Sequence, residues 1–375
     1  MYPLTSGSQA KATNVTGKIV ICIRGNNTRF DKTMVVQQAG GVGMIFTNDE
    51  AAGDVVVEEP YSLPVTHITY SQGMEVLSYI TSTLSPVGYI TQPEAAIGAA
   101  PTPVMATFSS RGPNSITPQI LKPDVTAPGV SILAAFTQAK GPAGISADER
   151  RVLFKLDSGT SMSCPHVAGI AGLLKTLHPD WSPAAIRSAI MTTARSEGND
   201  KKPIKEEPSL AEATPLAYGA GEVQPNQAMD PGLIYDITMD EYLNFLCGLG
   251  YDSNVISAFA AYNCPAPEKS MNPLNLNYPS ITVPSLTAPT TITRRVRNVG
   301  SSPAAVTYTA KLVPPTGVSV SVNPSTLQFH KIGDEQTFTV TFAPTPDKPA
   351  TGNYVFGQLT WSDGLHQVAS PLVVS

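Results

Sequence analysis

Ser161 stands where a turn gives way to a helix, a placement that suits a nucleophile. Asp157-Ser158-Gly159-Thr160 are turn formers, and Val167, Ile170, Ala171, Leu174 and Leu177 then recur at helical spacing. A serine at a helix N-terminus lies beside unpaired backbone N–H groups and the positive end of the helix dipole. An attacking oxygen and a developing oxyanion can both be stabilised there. The same placement describes an ordinary N-cap serine with no chemistry to perform. Other reactive side chains are scattered. His67 alternates within an apolar strand and reads as a packed histidine. His166 lies five residues along the helix from Ser161, about 140° around the axis, and is not placed to take the serine proton. Cys22, Cys164, Cys247 and Cys264 lack the Cys-x-x-Cys spacing of a zinc site, so no structural metal is expected. Cys164 reads as a buried thiol, and a Cys247–Cys264 bridge is compatible with the spacing without being fixed by it.

The elements that must position Ser161 belong to a chain with room for several cores, because 375 residues exceed the roughly 250 at which one core stops growing. Charged residues make up 14% and hydrophobic ones 42%, a globular balance, and 34 prolines imply many fixed turns and extended crossings. A net charge of −5 without a basic run or interleaved aromatics excludes nucleic acid as a partner. No apolar run approaches the roughly 18 residues of a membrane span, and Met1-Tyr2-Pro3-Leu4-Thr5 carries no export signal. Asn14-Val-Thr16 and Asn26-Asn-Thr28 are sequons, glycosylated at Asn14 and Asn26 if the protein enters the secretory route.

Residues 1–12 read as an irregular lead-in. A βαβ texture follows: strand 18–23, helix 30–39 ended by Gly40-Gly41, strands 42–46 and 64–68, a helix from a Ser71 cap through Ile80, and strand 87–90. From Ile97 the texture changes to a strand at 105–108, a proline-spaced crossing through Pro113, Pro118, Pro123 and Pro128, and a strand at 130–134. The helix from Ser161 comes next, then one capped by Ser182 with Pro183 at its first position, running through Ala194. Residues 196–214 read as an exposed loop, and Asp240 as the cap of a helix over 241–249. From about Leu274 the period becomes two. Strands at 290–297, 306–312, 318–322, 336–342, 354–361 and 368–374 predict a β-sandwich of about seven strands, with Trp361 in its core.

With these motifs in view, the chain resembles a plant-type subtilisin-like serine protease, or subtilase. Gly159-Thr-Ser-Met-Ser-Cys-Pro-His-Val-Ala-Gly169 resembles the family's nucleophile motif. Phe108-Ser-Ser-Arg-Gly-Pro113, Lys122-Pro-Asp-Val-Thr-Ala-Pro-Gly129, Tyr218-Gly-Ala-Gly221 and Pro231-Gly-Leu-Ile-Tyr-Asp236 resemble its other signatures. The resemblance implies an α/β subtilisin-like catalytic domain, represented by its C-terminal half at 93–273. It also implies an inserted protease-associated α+β domain at 13–92, short at its first edge, and a fibronectin type III-like all-β sandwich at 274–375 that opens with Leu276-Asn-Tyr-Pro-Ser280.

The same resemblance makes Ser161 the catalytic serine, its backbone N–H an oxyanion donor, and Cys247–Cys264 a disulfide, while Cys22 lacks its family partner and stays a free thiol. It implies protein or peptide substrates, no cofactor, and secretion to the apoplast or cell wall. The family's aspartate and histidine motifs and its oxyanion asparagine precede the inserted domain and are absent here; Asp157-Ser158-Gly159 matches the aspartate motif only in letters. The expectation is therefore a serine endopeptidase by family whose isolated chain is inactive without a complementary N-terminal fragment. The alternatives are a non-catalytic protein-binding remnant and a truncated gene model.

Overall fold

A computed structural model describes residues 14–57, 59–94, 97–266, 270–301, 305–347 and 352–375; the lead-in at 1–12 lies outside these described residues. The apolar run Ile19–Ile23 forms β1, α1 spans Arg29–Gln38, and β2 spans Gly43–Thr47. β3 (Val65–Ile68) and α2 (Tyr70–Ser82) follow. β1 and β3 both pair in parallel with the central β2, an arrangement that requires crossovers; α1 lies in the first, and the second has no helix among its described residues. Val20, Cys22, Val36, Met44 and Phe46 form the core between sheet and helix. Two sequence expectations fail here. Thr69 caps α2, reciprocally with Gln72, while the Ser71 hydroxyl turns to Asp54 at 2.9 Å. Residues 87–90 make no strand: they enter no ladder of the β1-β2-β3 sheet, and Tyr89 is left 88% exposed.

The middle of the chain contains β4 (Val104–Met105), only the start of the run expected at 105–108, and then the irregular proline-spaced crossing. β5 (Ile132–Ala135) and β6 (Phe154–Asp157) form an antiparallel pair, Ile132 opposite Asp157. β6 leads directly into α3 (Thr160–Leu177), which begins one residue before the expected start. α4 (Pro183–Thr192) has Ser182 as its cap, accepting the Ala185 N–H at 3.0 Å. α3 packs on α4 through Ile170, Leu174, Trp181, Ala185 and Ala189. The segment 196–214 is more than an exposed loop. It contributes β7 (Lys205–Glu206) and β8 (Ala211–Glu212), and Ile204 and Ala213 are buried against Met105 and Ala217. Two-residue strands are too short to show a period. Single helical turns at Pro215–Tyr218 and Pro225–Ala228 lead to β9 (Leu233–Ile234).

α5 (Met239–Gly248) is capped by Thr238 rather than Asp240. The Thr238 hydroxyl accepts the Glu241 N–H at 3.3 Å while the Glu241 carboxylate accepts the Thr238 N–H at 2.8 Å, and this reciprocal pair outcompetes the neighbouring aspartate. α6 (Ser253–Ser257) follows, and a disulfide joins Cys247 to Cys264 with Cα atoms 5.7 Å apart.

The C-terminal strands are β10 (Ile281–Val283), β11 (Thr290–Asn298), β12 (Val306–Val313), β13 (Val318–Asn323), β14 (Thr326–Phe329), β15 (Glu335–Pro344), β16 (Val355–Ser362) and β17 (Gln367–Val374). They form a five-stranded sheet, β10-β17-β16-β12-β14, facing a four-stranded sheet, β13-β15-β11-β9. Among the described residues the sandwich thus has nine strands rather than about seven, and β9 comes from the preceding part of the chain. Trp361 is fully buried, with the Phe338 ring 5.0 Å away. Asn277 stitches the join: its amide donates to the Asp236 and Arg295 carbonyls at 2.9 Å each and its carbonyl accepts the Arg295 N–H at 2.8 Å.

Candidate active site

The turn between β6 and α3 is pinned on three sides. The Gly159 N–H donates to the Gly129 carbonyl at 2.8 Å, the Ser131 N–H donates to the Ser158 hydroxyl at 2.8 Å, and the Ser163 hydroxyl donates to the Ala127 carbonyl at 2.8 Å. Gly129 permits this close approach, because a Cβ there would overlap the Ser163 hydroxyl and come within 3.0 Å of the Gly159 carbonyl oxygen. The supporting segment is itself held by backbone bonds, Thr126 N–H to Gly221 O at 2.9 Å and Val223 N–H to Thr126 O at 3.0 Å. Turn, segment and the Gly219–Val223 stretch therefore form one layered unit.

Ser161 is the second residue of α3 and is exposed. Among the described residues, neither its hydroxyl nor its N–H has a hydrogen-bond partner. Pro165 has no N–H to give, so the Ser161 carbonyl also lacks its usual helical donor. Beside the turn lies a cavity of about 470 Å³ lined by Met105, Gly129, Thr160, Ser163, Arg195 and Glu222, among others. Burial raises the Glu222 carboxyl above its usual range, against the pull of Arg195. This arrangement can deliver a hydroxyl oxygen to a carbonyl carbon and a backbone donor to the resulting oxyanion.

Among the described residues, no histidine is hydrogen-bonded to Ser161. His67 bonds Asn48 and Val57 at 2.9 Å each, and burial lowers its pKa. His166 points back to the Met162 carbonyl at 2.8 Å, and His178 bonds the Met229 carbonyl and stacks on Trp181. His330 and His366 belong to the sandwich. Asp157 accepts the Ser158 N–H at 3.0 Å and pairs with Lys155 at 2.9 Å.

A family model described as the Subtilase family matches residues 5–221, more than half of the chain. The chain belongs to the subtilase family. A second model, a fibronectin type-III domain, matches residues 275–374 of this subtilase. The subtilisin-like protease SBT5.4 of Arabidopsis thaliana is 52% identical over 363 residues, covering 96% of this chain and 46% of that protein. SBT5.3 of the same plant is 47% identical over 394 residues, covering 100% of this chain and 50% of its own. SBT1.7 is 48% identical over 366 residues, covering 96% and 48%. This subtilase chain spans about half the length of the curated relatives it matches.

Two thiols of the subtilase are free, and one differs from expectation. Cys22 is buried, and burial pushes its pKa up to about 11 against the opposing pull of Lys32. Cys164 is exposed, because its face of α3, shared with Ala168 one turn on, is left uncovered among the described residues. Iodoacetamide at neutral pH should therefore alkylate Cys164 in the native chain and Cys22 only after unfolding; equal rates for both, read by mass spectrometry, would refute this. Asn14 and Asn26 are both exposed. Among the described residues no cluster of three His, Cys, Asp or Glu side chains could hold a metal ion, and no helix is long and apolar enough to cross a membrane. Sequence reasoning misses Arg195 and Glu222. Glu222 directly follows Tyr218-Gly-Ala-Gly221, but only the β-bridges from Glu222 to Thr126 and to Arg195 bring these residues to the cavity.

Proposed function

We propose that this chain supplies the nucleophile, one oxyanion donor and the C-terminal domains of a subtilisin-like serine endopeptidase. The observation that carries this reading is Ser161 at the start of α3, with its hydroxyl and N–H unpartnered among the described residues, beside the 470 Å³ cavity. The Ser161 hydroxyl oxygen adds to the peptide carbonyl carbon and gives up its proton to a base. The C–N bond then breaks, the amine leaves with a proton, and water hydrolyses the acyl-enzyme. The Ser161 N–H donates to the oxyanion throughout. Substrates are proteins or peptides, and the chemistry needs no cofactor. Residues 13–92 serve as the protease-associated domain, 93–273 as the C-terminal part of the catalytic domain, and 274–375 as the fibronectin type III-like domain. The protein acts outside the cell, with Asn14 and Asn26 as glycosylation sites.

The base, its carboxylate orienter and a second oxyanion donor come, in this reading, from a complementary N-terminal fragment, and the chain is inactive alone. The positions of its five histidines support this, as does the apolar surface left by Leu133, Phe154, Leu156 and Leu173, of which Leu133 is 68% and Leu173 66% exposed. Removing triad members from subtilisin costs about 10⁴ to 10⁶ in turnover. That no histidine reaches Ser161 among the described residues equally favours a second reading, a non-catalytic protein-binding chain.

A fluorophosphonate probe separates the two. The purified chain should label no more than Ser161→Ala, and mixing it with the unmatched N-terminal half of an Arabidopsis relative should bring labelling to Ser161. Strong labelling of the chain alone would overturn its inactivity. Silence in both arms would favour the binding protein.

A further inference from the structure

We propose that His366 is a proton-operated latch that holds the C-terminal sandwich against the rest of the chain through Asp230. His366 follows the Asp363-Gly364 turn between β16 and β17, whereas Asp230 precedes β9 on the other side of the join. The imidazole lies between two carboxylates. Its Nδ1 is 2.8 Å from Asp363 Oδ2, and its Nε2 is 3.4 Å from Asp230 Oδ1. Asp363 Oδ1 is already engaged by the N–H groups of Leu365 and His366, and Asp230 Oδ2 accepts the Ser301 hydroxyl at 2.8 Å. Asp230 Oδ1 is buried and has no hydrogen bond of ordinary length, so the His366 ring is the group placed to satisfy it.

The chemistry of imidazole turns this geometry into a switch. A neutral ring carries one N–H. With that proton on Nδ1 for Asp363, the Nε2 lone pair faces the buried oxygen of Asp230, and contact across the join is repulsive. Adding a proton from solvent at Nε2 makes both nitrogens donors, and the ring then bridges the two carboxylates. The Tyr308 hydroxyl, 3.4 Å from Nδ1, is the other titratable group against the ring, and Arg195 and Glu197 border the same 490 Å³ cavity. Gly232 keeps the two sides close: its φ is +77°, and a Cβ there would meet the Tyr308 hydroxyl and lie 2.8 Å from His366 Cβ. Burial works against the charged ring, but Asp363 and Asp230 outweigh it and raise His366 above the usual histidine range. A raised folded-state pKa stabilises the join fully below the unfolded histidine value of about 6.5, and the stabilisation is lost as pH rises through the folded value. The join is therefore tightest in acid. Arg195 lines both this cavity and the one beside Ser161, so the latch lies one side chain from the nucleophile pocket.

Proton NMR of the imidazole resonances of the whole chain, with His366→Gln identifying the His366 signal, tests the latch. The His366 midpoint should lie above that of a free histidine and fall in the isosteric Asp230→Asn variant. An unchanged midpoint in D230N would overturn the proposal. Thermal unfolding at pH 5.5 and pH 8 supplies the second readout. The acid gain of the unaltered chain should shrink in D230N and in H366Q, and shrink no further in the double variant. Equal acid gains in the unaltered chain and D230N would overturn it as well.

Discussion

Replacing Arg294 with methionine should cost at least about 3 kcal/mol of unfolding free energy, the largest stability loss expected of any single substitution considered. Arg294 is 3% exposed, on β11 inside the sandwich. Its guanidinium donates to four backbone carbonyls: Leu274 at 2.8 Å, Thr293 at 3.0 Å, Tyr278 at 3.2 Å and Ser280 at 3.3 Å. Three of these belong to the crossing that carries the chain into the sandwich, where no ladder is available to satisfy them. Burial pushes the Arg294 pKa down to about 10, which still leaves it charged at neutral pH. Methionine fills much of the volume but donates nothing, and each abandoned buried acceptor costs about 1 to 3 kcal/mol. Arg294→Lys should fall between the two, since an ammonium offers three donors without the planar fork. Urea unfolding followed by Trp fluorescence measures the series. A loss under about 1 kcal/mol for R294M would contradict this account of the crossing.

Gly129→Ala should disturb the turn before Ser161 directly. The new methyl overlaps the Ser163 hydroxyl and crowds the Gly159 carbonyl, so the turn must separate from its supporting segment, at about 1 to 3 kcal/mol. Ser163→Ala removes the worst overlap at the expense of one hydrogen bond to Ala127, about 1 kcal/mol. The double variant should thus be more stable than the sum of the two single losses implies, which a double-mutant cycle reads as coupling. Strict additivity would mean that Gly129 is not the contact point. In a complemented protease, G129A should also lower probe labelling at Ser161, because the serine and its N–H move with the turn.

How much of the molecule is legible in its sequence depends on the length scale of each signal. The long strands β11, β12, β15, β16 and β17 lie within a few residues of their expected bounds, since alternation over eight or more residues is unambiguous. β9, β10 and β14 escape detection because two to four residues carry no period, although two of them extend the sandwich edges and β9 joins it to the rest of the chain. The expected caps of α2 and α5 each fall two residues away from the real ones. Ser71 and Asp240 are good caps in isolation, but Thr69 and Thr238 make the reciprocal pairs. The position of Ser161 at the start of a helix is legible from its turn and helix, whereas its role is read only from the longer motif around it. Its setting is legible from neither, because Arg195 and Glu222 reach the cavity through bridges between distant segments. Cys164 is exposed against expectation because a small apolar side chain on a helix suggests burial, and no local signal tells which face of α3 is covered.

The two residues of β9 also set the order in which this chain can finish folding. Leu233 and Ile234 emerge long before their partners Asn298 and Arg297, so while the chain is being made the segment that follows α4 waits, unpaired, for the sandwich to arrive. Completion of the part that carries Ser161 is thereby tied to successful synthesis of the strands downstream. A sandwich excised at residue 274 would lack this strand, expose the β11 edge to another molecule, and leave Ser370 without its buried Tyr235 partner.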